Sequence, residues 1–135
     1  MSLTDTTSAS GTILLAEDDA SVRAIVCRVL TSHGFHVLEA SSADEAVTLW
    51  HSHGGTDGRI DLLVTDVVMP GHSGRELVGE LRALRPTLPV LYTSGYLEES
   101  PEADPNGAAT DYLEKPFATA KLLHAVRQLL ATRGR

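Results

Sequence analysis

The chain has only one cysteine, Cys27, among its 135 residues. A single thiol cannot form a disulfide within the chain, and this favours a cytoplasmic protein over one that depends on an oxidising compartment. No apolar run approaches the roughly 18–20 residues that a membrane span needs. The start of the chain has neither the basic residues nor the apolar centre of a secretory signal. A glycine-rich loop of the Walker or dinucleotide type is also absent, which excludes the common nucleotide-binding motifs.

Basic residues are too few for a nucleic-acid surface. Lys and Arg number 11 against 18 Asp and Glu, and the formal net charge is −7 at pH 7, whereas binding a phosphate backbone needs clustered cations. Apolar residues make up 42% of the chain, an ordinary share for a globular protein of one domain. We expect residues 1–11, which are polar and rich in Ser and Thr, to form a flexible leader, and residues 12–135 to form the domain.

Helical periodicity alternates with short apolar runs along the chain. Apolar residues recur at helical spacing from residue 22, and Gly34 follows as a stop signal. The segments 42–45 and 73–76 are each typical of a capping box that opens a helix, and Pro86 ends the second of these helices. The run 60–65 is too apolar for a strand with one solvated face, so we expect burial on both faces. Further strands are predicted at 36–40 and 88–93, and a last helix at about 118–132.

The stretch between the fourth and fifth predicted strands, residues 97–109, differs from the other connections. It contains Pro101 and Pro105, and a proline inside a helix costs about 3 kcal/mol. We therefore expect a short or irregular fourth helix and a loop. Elsewhere strands alternate with helices, which predicts an α/β fold with right-handed crossovers and helices on both faces of a parallel sheet.

Four short polar signals each stand where an apolar run stops. In chain order the signals are Glu17-Asp18, Asp66, Thr93-Ser94 and Lys115-Pro116. In an open parallel α/β sheet, ligands bind at the carboxyl ends of the strands. One fold therefore brings three carboxylates, a hydroxyl and an amine to one rim, and this set suits a divalent cation together with a phosphoryl group.

Four motifs resemble the receiver domain of two-component response regulators. They are, in order, residues 13–19 (ILLAEDD), 65–71 (TDVVMPG), 93–95 (TSG) and 115–117 (KPF). Each motif alone is a weak signal, but the four in register are specific, and the resemblance runs from about residue 12 to the end. It implies a flavodoxin-like (CheY-like) three-layer sandwich whose five parallel strands lie in the order 2-1-3-4-5.

The resemblance gives the acidic residues their roles. Asp66 would be the phosphoacceptor, since a carboxylate can attack phosphorus to form an aspartyl phosphate; the alternative is an aspartate in a turn. Carboxylates at one rim repel one another, and Mg²⁺ prefers oxygen ligands. By resemblance Asp18, Asp66 and the backbone carbonyl of Val68 would bind Mg²⁺ directly, and Glu17 through a water. The alternative for the Glu17-Asp18 pair is a helix cap, for which Asp19 is the better candidate.

The remaining roles fall on three residues that lie in later strands or directly after them. Lys115 would neutralise phosphoryl oxygens as a point charge, next to a cis Lys115–Pro116 bond; the alternative is a surface lysine before a turn. Ser94 would be the switch hydroxyl, because strand alternation places Thr93 on the opposite face and the family pattern selects Ser94. Tyr112 would move inward with that hydroxyl, or else it is simply a tyrosine packed on the sheet.

The resemblance implies signalling rather than turnover of a substrate. The donor would be a phosphohistidine on a sensor histidine kinase or its phosphotransfer domain, and we expect no contact of this domain with nucleic acid or membrane. We expect no catalysis beyond self-phosphorylation and self-dephosphorylation. The self-dephosphorylation should be slow, because bulky Val68 and Tyr96 flank the acceptor where water would approach. The sequences of residues 91–96 and 113–117 are similar to those of receivers of hybrid sensor histidine kinases. Whether the chain comes from such a parent or acts alone stays open.

Two other classes of protein are alternatives. A pseudo-receiver would bind partners without phosphorylation, although every expected reactive residue is present here. A phosphatase with an aspartyl-phosphate intermediate would carry an Asp-x-Asp pair after its first strand. In this chain Glu17-Asp18-Asp19 precedes a helix, and the candidate nucleophile, Asp66, follows the third predicted strand.

Overall fold

A five-stranded parallel sheet forms the centre of the computed structural model, which describes residues 11–69, 71–95 and 109–132. The strands are β1 (Thr12–Ala16), β2 (His36–Ala40), β3 (Leu62–Asp66), β4 (Val90–Ser94) and β5 (Thr110–Glu114). They lie in the order β2-β1-β3-β4-β5, and each neighbouring pair is parallel. The predicted flavodoxin-like order 2-1-3-4-5 is therefore confirmed.

Helices cover both faces of the sheet. In the described ranges they are α1 (Ala20–Ser32), α2 (Ala43–Ser52), α3 (Gly74–Leu84) and α4 (Thr119–Thr132). Buried residues of α2 and α3 belong to one apolar cluster, and those of α1 and α4 belong to another. Along β1, Leu14 joins the first cluster and Leu15 the second, as expected when alternate side chains of a strand point to opposite faces. The molecule is a three-layer sandwich.

The middle strand is buried on both faces, as its sequence predicts. All of β3 is buried, and Leu62, Leu63 and Val64 are 0% exposed. The strand begins two residues later than predicted and includes Asp66 as its last residue. In the same way β4 ends at Ser94. The candidate polar side chains of β3 and β4 are thus held by strand backbone rather than by the loops that follow.

Two helices begin at caps that the sequence indicates. Asp19 caps α1, and its Oδ1 accepts hydrogen bonds from the backbone N–H groups of Ser21 at 2.9 Å and Val22 at 3.1 Å. At α3 the predicted capping box is complete, because Ser73 Oγ accepts from the Glu76 N–H and Glu76 Oε1 accepts from the Ser73 N–H. These bonds satisfy N–H groups that a helix start leaves unpaired.

The capping box predicted at the start of α2 forms only by half. Ser42 Oγ accepts from the Glu45 N–H at 3.1 Å, but the Glu45 carboxylate accepts from Ser41 instead, at 2.7 Å from its N–H and 2.9 Å from its hydroxyl. Ser41 offers two donors where the Ser42 backbone offers one, which explains the exchange. The Ser41 N–H and then its hydroxyl lower the pKa of Glu45.

Two predictions fall on parts of the chain that lie outside the described residues. The leader covers residues 1–11, of which only Gly11 is described, and the short or irregular fourth helix covers 97–109, of which only Ala109 is described. Both stay predictions. Among the described helices, none has the length and apolar character that a membrane crossing requires.

Candidate functional site

Three carboxylates meet at the carboxyl end of the sheet. Glu17 and Asp18 follow β1, and Asp66 ends the neighbouring strand β3; one oxygen of each lies within 4.8 Å of the other two. Glu17 is 2% exposed and Asp66 8% exposed, while Asp18 is exposed. Parallel neighbours end at the same edge, so strand order alone brings residues 17 and 66 together. Oxygen donors at this spacing, one of them open to solvent, fit a hard divalent cation.

Lys115, which follows β5, contacts two of these carboxylates. Its Nζ donates to Glu17 Oε1 at 2.9 Å and to Asp66 Oδ2 at 3.0 Å. Burial acts to lower the pKa of Lys115, but the hydrogen bonds to Glu17 and Asp66 outweigh it, and the pKa is raised. The amine therefore stays protonated. One ammonium faces three carboxylates, which leaves the rim with an excess of negative charge that a cation would neutralise.

Both carboxylate oxygens of Glu17 and both of its backbone polar groups form hydrogen bonds. Its Oε1 accepts from Lys115, and its Oε2 accepts from the Asp19 N–H at 3.1 Å. Its backbone N–H donates to the Ala40 carbonyl at 3.0 Å, and Arg23 Nη1 donates to its carbonyl at 2.8 Å. Burial raises the pKa of Glu17, opposed by the bonds from Lys115 and Asp19. With both carboxylate oxygens already accepting, Glu17 is suited to an indirect role beside a metal.

The loop after Asp66 approaches the start of α3 closely. The Gly74 N–H donates to the Val67 carbonyl at 2.7 Å, and a Cβ added at Gly74 would lie 2.0 Å from the Asp66 carbonyl oxygen. Only glycine permits this contact. The sequence indicates Gly74 only as one position of a capping box and does not reveal this requirement, because the clash involves the end of another element. Gly74 thus lets the helix pack directly against the residue that ends β3.

Val68 and Tyr96 were expected to flank Asp66. The Val68 N–H lies 3.3 Å from Asp66 Oδ1, and Val68 is 72% exposed; shielding of the acid by the Val68 side chain stays a prediction. Tyr96 lies outside the described residues, and the role of the Val68 carbonyl as a ligand stays a prediction. The Lys115–Pro116 peptide bond is cis, as the resemblance implies.

Ser94 and Thr93 are both buried, at 6% and 3% exposure. Tyr92 belongs to the cluster with α2 and α3, and Leu91 to the cluster with α1 and α4. Alternation along β4 therefore assigns Ser94 to the α2–α3 side and Thr93 to the other side, in agreement with the sequence-based expectation. The backbone carbonyl of Ser94 accepts from the Lys115 N–H at 2.7 Å. The role of the Ser94 hydroxyl as a switch stays a prediction.

Tyr112 packs against Tyr92 on that same side. The ring centroids are 4.9 Å apart and the ring planes are inclined by 25°. The Arg75 guanidinium lies 5.3 Å from the Tyr92 centroid and 5.8 Å from that of Tyr112, and its Nη1 donates to the Tyr112 hydroxyl at 3.3 Å. The switching role of Tyr112 stays a prediction. Arg75 had no predicted role, since nothing in its local sequence indicates the two rings.

This is a flavodoxin-like domain with three carboxylates and a lysine at the carboxyl end of its sheet. Proteins of this class can bind a divalent cation and an anionic group at that end. The family model for the response regulator receiver domain matches residues 13–127. The chain belongs to this family and is a receiver domain of two-component signal transduction. Divalent metal binding is consistent with the family and with the acidic cluster.

Comparisons with individual proteins agree with this assignment. The chain is 38% identical to the sensor kinase CckA of Brucella abortus over 124 residues, which cover 91% of this chain and 13% of that protein. It is also 38% identical to the DNA-binding transcriptional regulator NtrC of Rhizobium meliloti over 122 residues, 89% of this chain and 24% of that protein. The chain therefore spans a quarter or less of these two relatives. Similarity to a hybrid kinase receiver, expected from the sequence, is confirmed.

Solved structures show the same fold. The receiver domain from the hybrid histidine kinase CckA has a TM-score of 0.73 at 36% identity, covering 89% of this chain and 99% of that chain. The response regulator TrrA from Thermotoga maritima, crystallised in complex with Mg²⁺ and BeF, has a TM-score of 0.74 at 28% identity. That alignment covers 88% of this chain and 98% of TrrA.

Proposed function

We propose that Asp66 accepts a phosphoryl group from a phosphohistidine on a sensor histidine kinase or its phosphotransfer domain. The observation that supports this most is the position of the Asp66 carboxylate, which lies at the end of the central strand, 3.0 Å from Lys115 Nζ and beside two further carboxylates. Phosphoryl transfer depends on positioning and on neutralising charge more than on other covalent chemistry from the protein. The end of β3 would position the Asp66 carboxylate, and Lys115 together with a bound divalent cation would neutralise the charge.

The chemistry falls on two side chains. A carboxylate oxygen of Asp66 forms a bond to phosphorus while the bond from phosphorus to the donor imidazole nitrogen breaks, and the imidazole leaves with the electron pair. Lys115 stays protonated and exchanges its contact with the Asp66 carboxylate for a phosphoryl oxygen. Its long, flexible stem suits that exchange.

The acidic residues would hold Mg²⁺. Asp18 and Asp66 would bind the ion directly together with the Val68 carbonyl, and Glu17 would act through a water because both of its oxygens already accept hydrogen bonds. Bound there, the ion would neutralise charge on the transferring phosphoryl group.

The consequence of phosphorylation would be a change of surface rather than turnover of a substrate. New bonds from Ser94 and Lys115 to the phosphoryl group would favour one arrangement of β4, β5 and Tyr112, and a downstream effector would recognise it. The exposed Val68 side chain would shield Asp66 from water and make self-dephosphorylation slow. We infer a cytoplasmic site of action, where a kinase donor of this kind would meet the domain.

Intact-mass measurement after incubation with Mg²⁺ and acetyl phosphate tests the proposal. We expect a gain of one phosphoryl group that is lost in Asp66→Asn and on chelation of Mg²⁺, but kept in the control Asp57→Asn, which alters an exposed aspartate in the turn after α2. Absence of any gain in the wild type would favour a pseudo-receiver. Rapid release of phosphate over many turnovers would favour a phosphatase.

A further inference from the structure

Arg75 lies at a junction between the acidic rim and the aromatic pair. It is the second residue of α3, directly after Gly74, whose N–H bonds the Val67 carbonyl one residue beyond Asp66. The backbone of Arg75 is thereby fixed to the Asp66 loop, while its side chain extends to Tyr92 and Tyr112.

The two rings are neighbours because of sheet register. Tyr92 pairs with Tyr112 across β4 and β5, which places both rings on the same face and allows the stacked contact of 4.9 Å. The edge ring is the less buried of the two: Tyr92 is 5% exposed, whereas Tyr112 is half-buried at the outer strand. The position of Tyr112 therefore depends more on what covers it.

Among the described residues, Arg75 contacts Tyr112 through its guanidinium. A planar guanidinium can lie over an aromatic face and donate a hydrogen bond at its edge, whereas an ammonium offers a point charge alone. Arg75 does both, since it lies over the two rings and its Nη1 donates to the Tyr112 hydroxyl.

We propose that Arg75 is a positioning residue that holds Tyr112 against Tyr92 and so transmits movement of the Asp66 loop to the surface of β4 and β5. This path does not pass through the Ser94 hydroxyl. The proposal rests on the proposed phosphorylation of Asp66 and adds to it a second connection, from the loop through the start of α3 to the outer strand.

Aromatic NMR of the full chain with ¹³C-labelled tyrosine tests the ring position without phosphorylation. In Arg75→Gln we expect the Tyr112 ring signals to shift. The population in which the Tyr112 ring is not stacked on Tyr92 should increase about two- to five-fold, which corresponds to the loss of an exposed cation–π contact. Arg75→Lys should recover only part of the change, since it restores charge without the plane. Arg28→Gln, which removes an exposed arginine from α1, should leave the Tyr112 signals unchanged.

The same samples with Mg²⁺ and acetyl phosphate test the transmission. We expect Arg75→Gln to incorporate one phosphoryl group by intact mass, as the wild type does, but to show a smaller phosphorylation-induced shift of the Tyr112 signals. If the Tyr112 signals of Arg75→Gln match those of the wild type both before and after phosphorylation, the proposal is overturned. If the wild type takes up no phosphoryl group, the proposed function and the transmission fail together, and the unphosphorylated spectra still decide whether Arg75 positions the ring.

Discussion

Two partly buried cations lie at opposite ends of the sheet in opposite surroundings. Lys115, at the carboxyl end, contacts the carboxylates of Glu17 and Asp66. Arg85, at the end of α3, donates to the backbone carbonyls of Gly55 and Ile60 and lies 5.9 Å from the centroid of a Trp50 ring.

The pKa shifts follow from the partners. At Lys115 the carboxylates more than compensate for burial, and the pKa is raised. At Arg85 burial lowers the pKa, and the charge of Asp61 only opposes it. The carboxyl end thus has one ammonium among three carboxylates, and a bound cation or phosphoryl group would rearrange their contacts. Arg85 instead donates to two backbone carbonyls, and we infer that its role is stability alone.

The largest expected effect is on stability, from Arg85→Met. Removing the guanidinium leaves the Gly55 and Ile60 carbonyls without this donor, and we expect the free energy of unfolding to fall by about 2–3 kcal/mol. Urea unfolding measures the loss, and Arg85→Lys should show a smaller one. Phosphoryl uptake by the folded fraction should not change. If uptake falls while stability is kept, the division of roles between the two ends is wrong.

A smaller effect is expected from Mg²⁺ on the free energy of unfolding, and it should depend on residues at the carboxyl end of the sheet but not on Arg85. Mg²⁺ at ten times its Kd should raise the free energy of unfolding of the wild type by about 1.4 kcal/mol, because it binds the folded state alone. Asp18→Asn should lose most of this gain, whereas Arg85→Met should keep it in full despite its lower stability. The check is urea unfolding with and without MgCl₂ at constant ionic strength. An equal gain in all three proteins would place the metal elsewhere.

The most local effect, confined to a single side chain, concerns the carboxylate of Glu39 on β2. Cys27 Sγ lies 3.3 Å from Glu39 Oε2, and burial, followed by Glu39, raises the pKa of Cys27 to about 11. Because the fold favours the protonated thiol, its contribution to stability is complete below the pKa of the unfolded thiol, about 8.5, and is lost as the pH rises through about 11.

Alkylation kinetics by iodoacetamide test this shift. At pH 8 we expect Cys27 to react about two hundredfold more slowly than an unstructured thiol, since the thiolate is the reactive form. Glu39→Gln should accelerate the reaction only in part, because burial remains, and Glu80→Gln, on exposed α3 surface, should not. A wild-type rate equal to that of a free thiol would contradict the raised pKa.

Much of the fold could be predicted because its signals are local. Apolar runs, helical spacing and caps such as Asp19 and Ser73 act within a few residues, and they placed the strands within about two residues of their observed positions. The half-formed box at Ser42 shows the limit of such signals: a serine one position earlier competes for the same carboxylate.

Some features of the candidate site follow from local sequence, and others follow only from how the elements pack. The sequence by itself determined which residues reach the rim, because parallel strands end at one edge and Glu17 and Lys115, 98 positions apart, meet there at 2.9 Å. Only the tertiary structure decided that Gly74 must be glycine, and that Arg75 lies over Tyr112, 37 positions away. The physical reason is that a strand end is defined by local pattern, whereas a close approach or a cation over a ring depends on how separate elements pack together.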